Sequence, residues 1–166
     1  MRTERARSSL WASRTWDEAA GFTLIELLLT LTVVAVLAVL AGPAFREFVA
    51  NQRVKTASFD LMSMLTMARS EAIKRNSTAT LGGIASGSLQ ITSGGAVIQQ
   101  REPFVNLMLT CKSGGTTVTC TDVVYGGNGR LQAGVPAIEI TSAATSRISC
   151  IKIDPSGRPT SKQGAC

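Results

Sequence analysis

The 166-residue chain contains no histidine. Imidazole is the commonest general base near neutral pH and the commonest metal ligand, so Ser-His-Asp triads, Cys-His pairs and histidine-based zinc sites are excluded within this chain. Lysine and carboxylate chemistry stays formally open, but Asp60, Asp122, Glu139 and Asp154 stand singly. No nucleophile elbow, phosphate loop or dinucleotide fingerprint collects them. Aromatic residues are scarce at 5%, and both tryptophans, Trp11 and Trp16, fall in the first 21 residues. No CxxC pair of the zinc or thioredoxin type occurs. The expectation from these absences is a protein that is not an enzyme and carries no cofactor and no metal.

What is present is unevenly distributed. Hydrophobic residues make up 45% of the chain, and much of that sits in one block. No charge occurs from Leu27 to Leu40, and apolar character runs from Phe22 to Ala41, close to the ~20 residues a helix needs to cross a bilayer. Just inside this block stands one carboxylate, Glu26. A charge in lipid costs roughly 2.5 to 3.5 kcal/mol on insertion scales, so Glu26 calls for a partner. An ordinary secretory signal, cleaved after Val39-Leu40-Ala41, is the competing reading of the block. Glu26 speaks against it, as does helical patterning that continues beyond Pro43.

Past Gly42-Pro43, a pair expected to kink or loosen a helix, Val54, Ala57, Leu61, Leu65, Ala68 and Ala72 recur at steps of three and four. Such a series forms one face of an amphipathic helix. Arg53, Asp60, Arg69, Glu71, Lys74 and Arg75 lie off the stripe, and Glu71 with Arg75 is a favourable i,i+4 pair. The pattern predicts one long helix from about Phe22 to Arg75, its first half in lipid and its second half against a head. Later residues are punctuated by Gly82-Gly83, Gly94-Gly95, Gly114-Gly115, Gly126-Gly127 and Gly134. Between them lie β-prone runs at 88–92, 96–99, 116–118, 137–141 and 147–153, which predict one antiparallel sheet or two small ones packed on the helix. The fold class expected is α+β. The expected boundaries are 1–21 as a polar leader, 22–42 as a transmembrane helix, 43–76 as the amphipathic second half of that helix and 77–166 as a β-rich head.

Cys111, Cys120, Cys150 and Cys166 are an even number in a short segment, which reads as two structural disulfides and places the head outside the cytoplasm. Three connectivities are open. Short loops favour Cys111 with Cys120 and Cys150 with Cys166.

The stretch G-F-T-L-I-E, Gly21 to Glu26, followed by the long apolar helix and Pro43, resembles the class III prepilin signal of type IV pilins and of the pseudopilins of type II secretion. The resemblance implies cleavage between Gly21 and Phe22 by a prepilin peptidase and methylation of the new amino group on Phe22. It also implies a type IV pilin fold, a single-pass subunit of the bacterial inner membrane with a periplasmic head, and a place in a surface filament with other pilins or pseudopilins. It supplies the partner for Glu26: the amino terminus of a neighbouring subunit, or of its own chain before assembly. The physics agrees, since opposite charges attract strongly in low dielectric while either alone is expensive.

Within that superfamily, "ARSEAIKRN" (68–76), "VYGGNGR" (124–130) and "CIKIDPSGRP" (150–159) resemble the GspH/FimT group, which holds minor pilins and minor pseudopilin H. Relatives carry tryptophans in the region of Leu89 to Glu102, and this chain does not.

The last segment is locally basic, with Arg147, Lys152, Arg158 and Lys162 against Asp154, and Asp154-Pro155-Ser156-Gly157 fits a type I turn. If Cys150 pairs with Cys166, Arg158 and Lys162 are displayed on a loop closed at both ends, which suits phosphate contact. DNA-capturing members of the FimT branch use a C-terminal Gly-Arg-x-Arg element; here Gly157-Arg158 matches, Pro159-Thr160 follows, and Lys162 lacks the planar fork of an arginine. The competing reading is a solvated turn with ordinary surface cations. With no aromatic residue among the cations, any DNA contact would be non-specific and to phosphate.

Overall fold

The computed structural model describes residues 22–166. The proposed leader, including Gly21, lies outside the described residues. A single helix, α1, spans Leu24–Arg75, and ten strands follow. They are β1 (Ala79–Gly82), β2 (Gln90–Ser93), β3 (Ala96–Gln100), β4 (Met108–Ser113), β5 (Thr116–Val118), β6 (Val123–Tyr125), β7 (Leu131–Ala133), β8 (Ala137–Ser142), β9 (Thr145–Ile153) and β10 (Pro159–Gln163). Two compact units divide at Leu40 and Ala41.

In the first unit the helix begins where its sequence allows. The amide of Glu26 donates to Thr23 Oγ1 at 3.2 Å, and the amide of Leu27 to the Thr23 carbonyl at 3.1 Å, so Thr23 caps the helix and its first residue is Leu24, two after the start of the apolar run at Phe22. The hydroxyls of Thr30 and Thr32 donate back to the carbonyls of Leu27 and Leu29, which satisfies them inside an apolar segment. Every residue from Phe22 to Leu40 is exposed, and the helix is long and apolar enough to cross a membrane. The helical assignment continues through Pro43, although the proline lacks the amide that would bond the turn before it.

The second unit holds the head. Two five-stranded antiparallel sheets form, in the orders β3-β2-β1-β6-β7 and β10-β9-β8-β4-β5. The chain therefore leaves the first sheet after β3, builds β4 and β5 in the second, and returns for β6 and β7. The expected stripe of α1 is buried at Val54, Ala57, Leu61, Leu65, Ala68 and Ala72, joined by Ala50, Ser58 and Met64. Opposing it are buried residues of the strands, Leu81, Ile91, Ile138, Ile140, Ile151 and Ile153; burial alternates along β1 and β2 and is continuous over Ser149 to Ile151 of β9. Each fully buried Leu or Ile contributes about 1.5–3 kcal/mol. Alanines on the helix let the sheets approach it closely.

Disulfides join Cys111 to Cys120 and Cys150 to Cys166, with 5.2 Å between Cα atoms in each. Five of the ten strands, β1, β4, β6, β7 and β10, were not among the β-prone runs of the sequence. They are three to six residues long, and pairing partners rather than local alternation define them.

Candidate functional site

Three sequence stretches that carry the family resemblance, far apart in the chain, meet at one place in the head. From "ARSEAIKRN", the Arg69 guanidinium Nε donates to the Gly129 carbonyl at 3.0 Å. From "VYGGNGR", Gly126 and Gly129 close a turn in which the Gly129 amide donates to the Gly126 carbonyl at 2.8 Å. From the closing stretch, Gly157 sits against both the Gly129 carbonyl and the Tyr125 ring, and the Leu131 amide donates to the Pro155 carbonyl at 3.3 Å. A Cβ on Gly157, whose φ is +81°, would overlap the Gly129 carbonyl oxygen, and one on Gly129 would lie 2.6 Å from Ile73 Cδ1. Glycine is required there by close approach as well as by conformation. Gly127 is packed just as tightly, since its Cβ would lie 2.8 Å from the Asn76 carbonyl carbon. Gly126-Gly127 is therefore a packing contact between helix end and sheet, not only the turn punctuation expected of it.

Tyr125, the lone tyrosine, is fully buried in this node. Among the described residues its hydroxyl has no hydrogen-bond partner. Burial pushes its pKa up to about 12, against a smaller opposing pull from Arg69. At the helix end Glu71 accepts from Arg75 Nε at 2.8 Å, and that hydrogen bond, with Lys74 nearby, holds its carboxyl below the ordinary range. Arg69, Gly129 and Tyr125 were not singled out as site residues from the sequence. The available signal was an arginine flanked by core alanines, close to a glycine-rich turn that follows the lone tyrosine.

The basic tail is arranged differently from the loop the sequence predicts. Residues 150–163 form an antiparallel hairpin, with Lys152 opposite Thr160 and Lys162 opposite Cys150. Its turn is the expected one: the Gly157 amide donates to the Asp154 carbonyl at 2.7 Å. Ladder pairing across the hairpin replaces the loop, so strand alternation decides where each cation points. Lys152 alternates with buried Ile151 and Ile153 and so faces outward, as does Lys162 on β10; Arg158 is exposed at the turn. Arg147 lies where the β8–β9 register shifts and lines a small polar recess with Lys55, Ser58 and Phe59 of α1, a recess that Lys162 also borders. On that same face Ser149 and Ser161 both meet the Ser58 hydroxyl at 2.9 Å. The four cations grouped by sequence are therefore not gathered on one closed loop: Lys152 and Arg158 lie away from the recess that Arg147 and Lys162 border. The tail end is also tied down, because the Cys166 amide donates to Glu139 Oε2 at 3.2 Å.

Glu26 lies in the first turn of α1, four residues from Phe22. Its place there suits a carboxylate irrespective of any partner, since helix N-termini favour negative charge. No cluster of metal-ligating side chains occurs among the described residues.

A long apolar-tipped helix set on a two-sheet antiparallel head defines the class: this is a type IV pilin fold. A profile of the prokaryotic N-terminal methylation motif matches residues 18–42, and one described as type II transport protein GspH matches residues 57–161. The chain belongs to the GspH family of pilin-like proteins. Among solved structures it is similar to the type IV minor pilin FimU of Pseudomonas aeruginosa PAO1, in two crystal forms. In the P21 form the identity is 21% and the TM-score 0.56, covering 69% of this chain and 92% of that one. In the P65 form the identity is again 21% and the TM-score 0.53, covering 65% and 91%. No curated protein sequence matches the chain.

Proposed function

We propose that the chain is a minor type IV pilin, a non-enzymatic subunit that primes or supports assembly of a filament at or near its tip. In this reading residues 1–21 are removed by a prepilin peptidase after Gly21, Phe22 is N-methylated, and residues 22–42 hold the subunit in the bacterial inner membrane with its head in the periplasm until it enters a surface filament. The observation that carries it is the coincidence of the methylation motif at residues 18–42 with a head whose fold resembles that of a minor pilin. Mass spectrometry of the N-terminal peptide from membranes tests it. A mature chain beginning at methylated Phe22 is expected. A terminus near Gly42 would identify an ordinary secretory signal and end the filament reading.

In the assembled state Glu26 neutralises the amino terminus of a neighbouring subunit. Glu26→Ala then leaves membrane insertion intact and lowers the amount of subunit in sheared filaments. Unchanged incorporation would remove the assembly role and leave the helix-terminal role described above.

A second reading, minor pseudopilin H of a type II secretion system, is favoured by the description of the profile that matches the head. The two differ in what deletion abolishes: surface piliation in the first, export of secreted proteins in the second. Assistance to DNA uptake is a subordinate proposal. It rests on Arg158, Lys152 and Lys162, which are exposed along the hairpin and its turn, with Arg147 half-buried at the recess that Lys162 also borders.

A further inference from the structure

Where the head begins, α1 carries apolar residues outside its buried stripe. Phe45 is 66% exposed and Phe48 57% exposed, and both follow the membrane-capable segment within about two turns of helix. Beside them run the coil between β3 and β4, whose Val105 is 71% exposed, and the start of β4, whose Met108 is 66% exposed. The coil is held in place rather than loose. Arg101 pairs with Asp60 of α1 at 2.6 Å and lies 5.0 Å over the Phe104 ring, while Asn106, at φ +59°, makes the left-handed turn beside Val105.

Two clefts of about 820 and 880 Å³ open along this side of the helix, sharing Val49, Arg53 and Leu107 in their walls. Their charges are unequal. Arg46 and Arg53 line them and pair with no carboxylate among the described residues. Of the two acids in the walls, Asp60 is already engaged by Arg101, which leaves Glu102.

Apolar side chains interspersed with uncompensated arginines, adjoining in sequence a segment that can cross a bilayer, have the composition of a surface that settles at the boundary between headgroups and acyl chains. We propose that the face carrying Phe45, Phe48, Val105 and Met108, rimmed by Arg46 and Arg53, docks on an anionic phospholipid surface while the subunit is held in the membrane. This rests on the membrane-anchored reading above and adds a second contact to it. The helix provides the anchor; the face restrains the head, with the arginines at lipid phosphates and the apolar side chains just beneath them. A pre-ordered coil loses little freedom on docking, which favours the contact. Entry into a filament would require this face to leave the lipid, so docking would hold unassembled subunits back.

The test uses the full chain with Trp11 and Trp16 replaced by Phe, so that one introduced indole reports alone. Met108→Trp places it on the proposed face, and Val97→Trp places it on exposed β3 as the control. Both are reconstituted in vesicles of phosphatidylcholine with or without phosphatidylglycerol, including brominated acyl chains as quencher. With phosphatidylglycerol, the indole at position 108 is expected to shift to the blue and be quenched while that at 97 does neither. Arg46→Gln combined with Arg53→Gln should lower the docked-to-free ratio about fivefold per arginine, as should raising salt to 1 M, where the Debye length falls to about 3 Å. A chain that floats with the vesicles but gives the same signal at 108 as at 97 overturns the docking alone. One that does not float overturns the anchored reading and the docking together. Quenching at 108 that is equal in neutral vesicles and indifferent to salt overturns the anionic-surface assignment. A shift at 108 that appears only when a second pilin subunit is added assigns the face to subunit contact and overturns lipid docking.

Discussion

The two ends of α1 are one helix made for two solvents. From Leu27 to Leu40 it is uncharged all round and wholly exposed; from Ala50 to Ala72 it is apolar on one stripe and buried there. Both are regular helix, so the difference does not come from backbone propensity. It lies in how the apolar side chains are spread round the axis, and so in what must cover them: lipid or other helices on every side for the first, two sheets on one side for the second. Stability of the head should therefore be insensitive to the first region and steeply dependent on the second.

The sharpest contrast is a pair of identical truncations. Leu61→Ala, in the buried stripe, should destabilise the head by about 2–5 kcal/mol, while Leu31→Ala leaves it unchanged. Urea denaturation followed by near-ultraviolet circular dichroism measures both. Equal losses would mean that the helix, and not the core, sets stability, and the contrast between the regions would collapse.

Gly157→Ala probes the node where helix end and both sheets meet, and is expected to cost roughly 1–3 kcal/mol, because the added methyl meets the Gly129 carbonyl oxygen. Gly94→Ala is the matched control: it also has a positive φ but nothing near its Cβ, so only the backbone term remains. If the two variants unfold alike, the crowding at Gly157 carries no energy.

A smaller effect separates the node from the exposed helix by pH. With its folded pKa raised to about 12 by burial, Tyr125 stays neutral in the head when the unfolded chain would ionise. The stability it supports is complete below about pH 10 and is lost as pH rises through about 12. Tyr125→Phe should flatten that part of the profile relative to wild type. At pH 7 it should be as stable or slightly more so, since a hydroxyl with no protein partner is removed. A profile unchanged by the substitution would show that this phenol does not control the alkaline limb.

The least effect on folding belongs to the hairpin cations. Arg158→Ala with Lys162→Ala should alter stability by less than about 0.5 kcal/mol, both residues being exposed. If DNA is bound, the pair should lower affinity and reduce the salt slope by up to about two, whereas Arg147→Ala, at a half-buried position, should have a smaller effect. Electrophoretic mobility across a salt series decides. Equal effects from Arg147 and the pair would show that exposure does not rank these cations.

Features with a short period along the chain are legible in the sequence. The apolar run, the Glu26 position, the stripe from Val54 to Ala72, the Asp154 to Gly157 turn and the even cysteine count each depend on neighbours a few residues away, and helix periodicity and turn stereochemistry read them directly. The disulfide pairing was narrowed by loop length and then settled by the fold. What depends on register could not be read in this way. A three-residue strand such as β6 exists because β1 and β7 flank it, and a single residue of slip in β9 would turn Lys152 inward and Ile151 and Ile153 outward. Likewise Arg69, Gly129 and Gly157 are ordinary residues until the chain brings them together, and the face of Phe45, Val105 and Met108 exists only once the coil lies beside the helix. The sequence by itself determined which segment is long and apolar enough to cross a bilayer, which face of the helix meets the sheets and where the chain turns, because those follow from side-chain chemistry repeated at a fixed local period. Tertiary structure alone decided which distant residues touch and which side each cation takes, because strand register and sheet order minimise the free energy of the whole head and no local segment encodes them.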